Sequence, residues 1–276
     1  MIWNQRLGRV GVWRGVQAVD AEMAKAIEDL GYGAVWLGSS PPADLRVAEE
    51  LLDATSSLVV ATGIVNIWTA DAAELAASFH RIDARHPGRL LLGIGSGHRE
   101  ASPERVRPID AMSRYLDVLD ERDVPVEARV LSALGPRMLA LAAERSAGTH
   151  PYLTVPSQTR EARAALGGAA LIAPEQTVVL DPDPVSARRA ARGFLTRYLS
   201  LVNYTNTMRR AGFTDEDVAG EGSDTLVDRI VAHGDASALA AAVRAHLDAG
   251  ADHVCVQVQP ATGDILPVLR SIIAVR

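Results

Sequence analysis

The sequence predicts an α/β fold, a (β/α)8 TIM barrel with an insertion in its seventh βα unit, and three observations carry that expectation. Eight short runs rich in Val, Leu and Ile recur along the 276 residues. Several are apolar throughout, as strands buried on both faces are. Longer segments with a helical apolar period lie between them, and no Asn-Gly or Asp-Gly pair marks a hairpin. Strands separated by helices need right-handed crossovers, which give a parallel sheet. A doubly wound open sheet is the rival. The strand count and a final strand close to the C-terminus favour the barrel, which takes about 250 residues as one domain.

The first strand is Arg9–Trp13. Val16, Val19, Met23, Ile27 and Leu30 follow at steps of three and four, with Gly31 as the C′ residue of that helix. Ala34–Leu37 is the second strand; Leu45, Ala48, Leu52 and Thr55 give the next helix its apolar stripe. Leu58–Ile64, Leu90–Ile94, Glu127–Leu131, His150–Val155 and Thr177–Leu180 are strands three to seven. The interval from Leu180 to His253 is about twice the others. It holds a helical stretch Ser186–Arg210, a Gly- and acid-rich turn Gly212–Ser223 and another helix from Asp224, so about residues 181–234 read as the insertion. Leu239, Val243 and Leu247 before Gly250 form the last crossover helix, and His253–Val258 the eighth strand. The chain 1–276 reads as a single domain.

Composition narrows the function. Hydrophobic residues make up 48% and charged residues 22%, enough apolar side chain for a large core. The net charge of −6 and the absence of a basic run exclude a nucleic-acid partner. No apolar run is long enough to span a membrane, and the N-terminus lacks a signal-peptide pattern, so the expected location is the cytoplasm. Cys255 is the one cysteine, which excludes an internal disulfide and a cysteine zinc cage. Lys25 is the one lysine and sits in a helical stretch, and no Gly-Lys-[Ser/Thr] occurs, so Schiff-base and Walker-loop chemistry fall away.

A parallel barrel builds its active site from the loops after its strands. Here these are Gly38-Ser39-Ser40-Pro41, Gly63-Ile64-Val65-Asn66, Gly93-Ile94-Gly95-Ser96-Gly97-His98, Ser132-Ala133-Leu134-Gly135-Pro136, Tyr152-Leu153-Thr154 and Gln257-Val258-Gln259. They are small, glycine-rich and neutral. Glycines 93, 95 and 97 admit close backbone approach but do not make a Gly-x-Gly-x-x-Gly fingerprint. The Ser132–Gly135 turn is an anion site, because Pro136 suits a first helical position and the free N–H groups of the helix start face outward, with Arg137 adjacent. His98 is the one titratable group in the glycine turn, a general acid or base or a solvated loop residue. His80 and His86 read as surface, His253 as structural at the stability face, and Cys255 as a core residue. Trp36, Trp68 and Tyr152 either wall an aromatic ligand or pack. No clustered His, Asp and Glu set points to a metal, and no Gly-x-Ser-x-Gly marks a hydrolase. So neutral a mouth suits a cofactor that carries the chemistry itself.

Three stretches resemble a known group. Gly31-Tyr32-Gly33-Ala34-Val35-Trp36-Leu37-Gly38, Ala61-Thr62-Gly63-Ile64-Val65-Asn66-Ile67-Trp68 and the run from His86-Pro87-Gly88-Arg89 to Gly97-His98 are similar to the luciferase-like monooxygenase superfamily, in its branch of coenzyme F420 (deazaflavin)-dependent oxidoreductases of actinobacteria. Ala133–Leu139 and Ala249–Val254 add to it. The resemblance implies a flavin-type ring at the barrel mouth, a non-proline cis bond between Gly63 and Ile64 behind that ring, and a usually dimeric assembly. It implies that the cofactor phosphate sits on the backbone amides of Ala133, Leu134 and Gly135. The Gly95, Ser96, Gly97 turn then lies beside the ring, with Ser39, Asn66 and Tyr152 around it. Ser39-Ser40 stand where relatives carry Asp-His, and His98 where sugar-phosphate dehydrogenases carry Glu, which weighs against that substrate. His98 is the expected proton donor. The expected activity is hydride transfer between F420 and a small organic substrate. The alternatives are an FMN-dependent monooxygenase and a barrel that binds a flavin or deazaflavin without turnover. A basic track for a polyglutamate tail would favour F420, with Arg137, Arg160 and Arg163 as members.

Overall fold

The computed structural model describes residues 3–97 and 107–275. After α1 (Trp3–Arg6) comes β1 (Val10–Gly15); α2 (Ala21–Asp29) leads to β2 (Ala34–Gly38), and α3 (Arg46–Ala54) to β3 (Val59–Thr62) and β4 (Val65–Asn66). Next are α4 (Ala72–Asp83), β5 (Leu90–Gly95), α5 (Pro108–Glu121), β6 (Arg129–Leu131), α6 (Pro136–Arg145) and β7 (Gly148–Thr149). α7 (Pro156–Leu166) completes the sixth unit; the seventh opens with β8 (Leu171–Ile172) and β9 (Glu175–Leu180) and continues through α8 (Pro184–Leu199), α9 (Val202–Arg210), α10 (Asp224–Ile230) and β10 (Val231–Gly234). The chain ends with α11 (Ala236–Asp248), β11 (Val254–Val258) and α12 (Leu266–Ala274).

Every strand pairing is parallel, in the order β10-β9-β11-β1-β2-β3-β5-β6-β7-β8, with β4 also on β5. The continuous run 171–180 closes the ring. On one edge Ala173 and Glu175 donate to the carbonyls of Thr149 and Pro151 (3.0 and 2.9 Å), and on the other Cys255 donates to Pro174 O (3.0 Å). The sheet is therefore a (β/α)8 barrel, and β10 is an added strand that pairs with β9. The strands are apolar throughout because each face meets a core. Val12, Val35, Leu37, Val60, Leu92 and Ile94 pack outward with the helices, while Trp13, Trp36, Val59, Ala61, Leu91, Val130 and Cys255 fill the interior.

The helices start where the sequence supplies caps. Asp20, Asp71, Asp183, Ser223 and Asp235 accept first-turn N–H groups of α2, α4, α8, α10 and α11. Gly31 ends α2 as expected, with φ +85° and its N–H on Glu28 O at 2.8 Å. Among the described residues no helix is long and apolar enough to cross a membrane.

Four expectations about elements need correction. Glu127–Leu131 is strand only from Arg129, because a 3-10 turn over Val126–Ala128 follows Pro125. His150–Val155 is not strand: β7 ends at Thr149, only His150 N and Pro151 O still bond to the flanking strands, Pro151 has no N–H to donate, and Leu153 has φ +54°. The third strand is split in two around a cis Gly63–Ile64 bond, which the resemblance implies. Ser186–Arg210 is two helices that meet at Ser200 and Leu201, and β8 and β10 are short strands that the apolar pattern did not resolve.

Candidate functional site

The last inward-facing layer of strands one to five carries almost no side chains. Cβ atoms built at Gly38, Gly63 and Gly95 point into the mouth, at Trp13, at Trp13 and His150, and at Ile64 and Ser132. Trp13 lies across the gap left by Gly38: a Cβ there would stand 1.9 Å from its Cζ2. The indole Nε1 donates to Gly63 O (3.2 Å), and its ring sits 5.5 Å from that of Tyr152. Trp36, one layer deeper, is fully buried and stacks on His150 at 4.1 Å, so it packs rather than walls a ligand.

Two histidines in this layer are held neutral. His253 lies with Nδ1 2.8 Å from Gly8 O and accepts at Nε2 from Trp36 Nε1 (3.0 Å), a structural role. His150 Nδ1 faces Ala173 O (2.7 Å), which makes it the protonated nitrogen, and its Nε2 is buried without a partner among the described residues. That nitrogen lies 3.1 Å from the Cβ position of Gly63. Desolvation lowers both histidines to about 4.

Across the mouth a hydrogen-bonded chain links the insertion to the barrel. Arg197 Nη2 donates to Tyr198 Oη, Tyr198 and Tyr152 hydroxyls lie 3.0 Å apart, and Tyr152 Oη donates to Gln257 Oε1 (2.7 Å). Glu175 is buried beneath, where it accepts from Thr177 Oγ1 (2.5 Å) and Leu153 N (3.3 Å). Desolvation pushes its carboxyl up to about 8, so it is protonated at neutral pH. Between α8 and the ends of β1, β2 and β11 lies a cavity of about 400 Å³.

The expected anion site lies at the start of α6, whose N-cap is Gly135, whose first residue is Pro136 and whose start has no capping side chain. Arg210 of α9 reaches this turn through Nη2 to Leu134 O (2.9 Å). The Ala133 amide donates to Thr149 Oγ1 (3.3 Å), so it is already engaged.

The structure gathers most of the expected residues at one end of the barrel. Gly63, Ile64 and Gly95 touch, and Ser132 joins them to Ala133, Leu134 and Gly135. Asn66 Oδ1 accepts from Trp68 N (3.1 Å), Trp68 Nε1 donates to Ser96 O (2.7 Å), and a Gly97 Cβ would meet Asn66 Nδ2, so Trp68 fixes this turn. Ser39 lines the cavity. Tyr152 is buried, with its hydroxyl in the polar chain. His98 lies outside the described residues. Arg163 is committed to Asp252 and to the Gly250 and Gly167 carbonyls, which removes it from any basic track; Arg137 and Arg160 are exposed. Sequence reading missed Trp13, Arg14, Glu175, Arg197 and Arg210. For Trp13 and Glu175 the available signal was parity, since they share the inward register of Trp36 and Cys255.

The model of the luciferase-like monooxygenase family matches residues 19–121. No curated protein matches the chain. Among solved structures, an F420-dependent secondary alcohol dehydrogenase in complex with an F420–acetone adduct is similar with TM-score 0.75 and 16% identity, over 97% of this chain and 98% of that one. The coenzyme F420-dependent tetrahydromethanopterin reductase from Methanopyrus kandleri gives TM-score 0.66 and 16% identity over 96% and 98%. The oxygenating constituent of 3,6-diketocamphane monooxygenase from Pseudomonas putida, in complex with FMN, gives 0.67 and 14% over 96% and 95%. At these identities the likeness is one of fold. The family's model thus matches the chain from α2 through α5, and the barrel shared with these structures is carried through the remaining units.

Proposed function

We propose that this chain is a coenzyme F420-dependent oxidoreductase that transfers a hydride between the deazaflavin ring and a small organic substrate, as a cytoplasmic homodimer of one-domain subunits. The observation that carries the reading is the glycine floor at Gly38, Gly63 and Gly95, against whose backbone Trp13 and Ile64 lie, and which continues through Ser132 into the uncapped start of α6. A flat ring needs such a floor, and a phosphate needs such a helix start. The buried His150 Nε2 beside Gly63, which has no partner among the described residues, fits a ligand with a polar ring edge. The residues present thus fit the group.

Hydride chemistry is what a deazaflavin supplies when bound. The chain's part is to hold and shield. Trp13 and Ile64 bound the floor, Gly135 and the first turn of α6 offer N–H groups to phosphate, and Arg210 adds positive charge beside them. His98 is assigned the proton that accompanies hydride transfer, and a His98→Ala variant with unchanged turnover would end that assignment. An FMN-dependent monooxygenase is the second reading, supported by the FMN-holding neighbour, because the same floor and helix start serve FMN. Arg210 with exposed Arg137 near the phosphate turn favours the longer, polyanionic cofactor. The test is calorimetric titration with oxidised F420, reduced F420 and FMN in parallel. Micromolar binding of F420 alone is expected; preference for FMN favours the second reading, and binding of neither removes both.

A further inference from the structure

The cavity between α8 and the ends of β1, β2 and β11 adjoins the glycine floor through Trp13 and Ser39. Its volume of about 400 Å³ is within the range of small-molecule sites, roughly 300–1,000 Å³. Two arginines line it, Arg14 and Arg197. Arg14 is buried at 7% exposure. Its Nε and Nη1 donate to the carbonyls of Ala18 (3.0 Å) and Ala261 (2.9 Å), and Nη2 to Gly263 O (3.4 Å). Five N–H bonds minus these leaves one on each terminal nitrogen. Arg197 lies 4.5 Å from the Tyr198 ring centroid and donates to its hydroxyl. Among the described residues neither arginine has a carboxylate within ion-pair distance.

Arg14 is a buried cation without a counter-charge, which is unfavourable, and exposed Arg197 adds a second positive charge to the lining of the same cavity, so the pair points to an anion supplied from outside. The remaining lining explains which. Trp13 and Phe194 give apolar walls, and Ser39, Gln257 and Gln259 neutral polar groups. One free N–H on each terminal nitrogen of a guanidinium matches the two oxygens of a planar carboxylate. A phosphate is better served at α6, where backbone N–H groups converge. Gly193 of α8 lines the same cavity, and a Cβ added there meets nothing within 4 Å, so the helix leaves the space open.

We propose that this cavity binds the carboxylate of an organic acid, and, resting on the oxidoreductase reading above, that this acid is the substrate. The carboxylate could instead be that of the cofactor's own glutamyl tail, and the experiment separates the two sources. Sodium benzoate is titrated by calorimetry, at constant ionic strength, into cofactor-free wild-type protein and into Arg197→Met and Arg197→Lys variants. Neutral benzamide serves as the control. Arg14 tethers the 261–263 loop, so Arg197 is the residue changed, and each variant's thermal melt is recorded.

Saturable benzoate binding is expected, with roughly tenfold or more loss in Arg197→Met, partial retention in Arg197→Lys and no binding of benzamide. Equal affinity for benzamide, no saturable binding, or an unchanged affinity in a folded Arg197→Met variant would overturn the site. The titration is repeated with saturating F420 and with the deazaflavin that lacks the glutamyl tail. Loss of benzoate binding with F420 alone assigns the carboxylate to the cofactor and overturns the substrate assignment. Retention with both supports it. If neither deazaflavin binds but benzoate does, the cofactor reading fails while the carboxylate site stands.

Discussion

Trp13 shows how one missing side chain positions another. Its indole fills the volume above Gly38 and hydrogen-bonds the Gly63 carbonyl, so it touches both the floor and the cavity. A methyl at residue 38 would overlap the indole, and the ring has neighbours on its other side in Tyr152 and Gly63. Gly38→Ala is therefore expected to cost about 1–3 kcal/mol, the usual range for overpacking. It should also quench or shift tryptophan emission as Trp13 moves toward the cavity. A urea melt with an unchanged midpoint would contradict this. The floor itself was legible in the sequence, because glycines at strand ends announce close approach. Glu175 was not. A glutamate beginning an apolar run reads as a polar boundary, and only its register beside Cys255 places it in the interior, where burial keeps it protonated.

At the scale of elements, β6 depends on a charge that its own sequence does not balance. Arg129 opens the strand with no exposure and is ion-paired to Asp120 of α5, which also holds Arg145 of α6 at 2.6 Å. Asp120→Ala would strand a buried guanidinium and remove the side-chain tie between β6 and α5, while Arg145 keeps Asp117 at 2.9 Å. The expected loss is about 3 kcal/mol, read from a denaturant melt. Gly193 offers the opposite case. It sits inside α8 in open space, so Gly193→Ala should raise stability by about 0.5–1 kcal/mol. Because residue 193 lines the cavity, the same variant should bind benzoate more weakly. The long strands and amphipathic helices were legible because their periods extend over several turns. The two-residue strands at 148–149 and 171–172 were not, since pairing with neighbours decides them and two residues carry no period. The break at Ser200 was equally silent: no proline or glycine marks it. The insertion announced itself only by spacing, whereas the tyrosines that it contributes to the polar chain meet Tyr152 through tertiary contact.

The whole molecule has a pH dependence set by groups that folding removes from water. His150, His246 and His253 fall from 6.5 to about 4 through desolvation. Below pH 6.5 the unfolded chain takes up protons that these folded histidines refuse, so stability drops as pH falls from 6.5 to about 4. Glu175 acts in the other direction. Its folded value is about 8 against 4.5 unfolded, so from pH 4.5 upward the unfolded carboxyl ionises while the folded one stays protonated. Stability then declines with rising pH until about 8, where the folded group ionises too and the penalty levels off. In the overlap, three histidines outweigh one glutamate, and the net slope is positive toward pH 6.5. Above it the histidines are neutral in both states and Glu175 alone sets the slope, at most about 1.4 kcal/mol per pH unit. Stability should therefore peak between about pH 6.5 and 7 and fall by roughly 1–2 kcal/mol by pH 8. Glu175→Gln keeps the shape and removes the ionisation, so its urea midpoint should stay level across pH 6.5–9 while the acid limb persists and steepens, having lost the opposing glutamate term. A Glu175→Gln curve that declines in parallel with the wild type would assign the alkaline limb to another group, and an acid limb that vanishes with it would show that the histidines and Glu175 titrate as one unit.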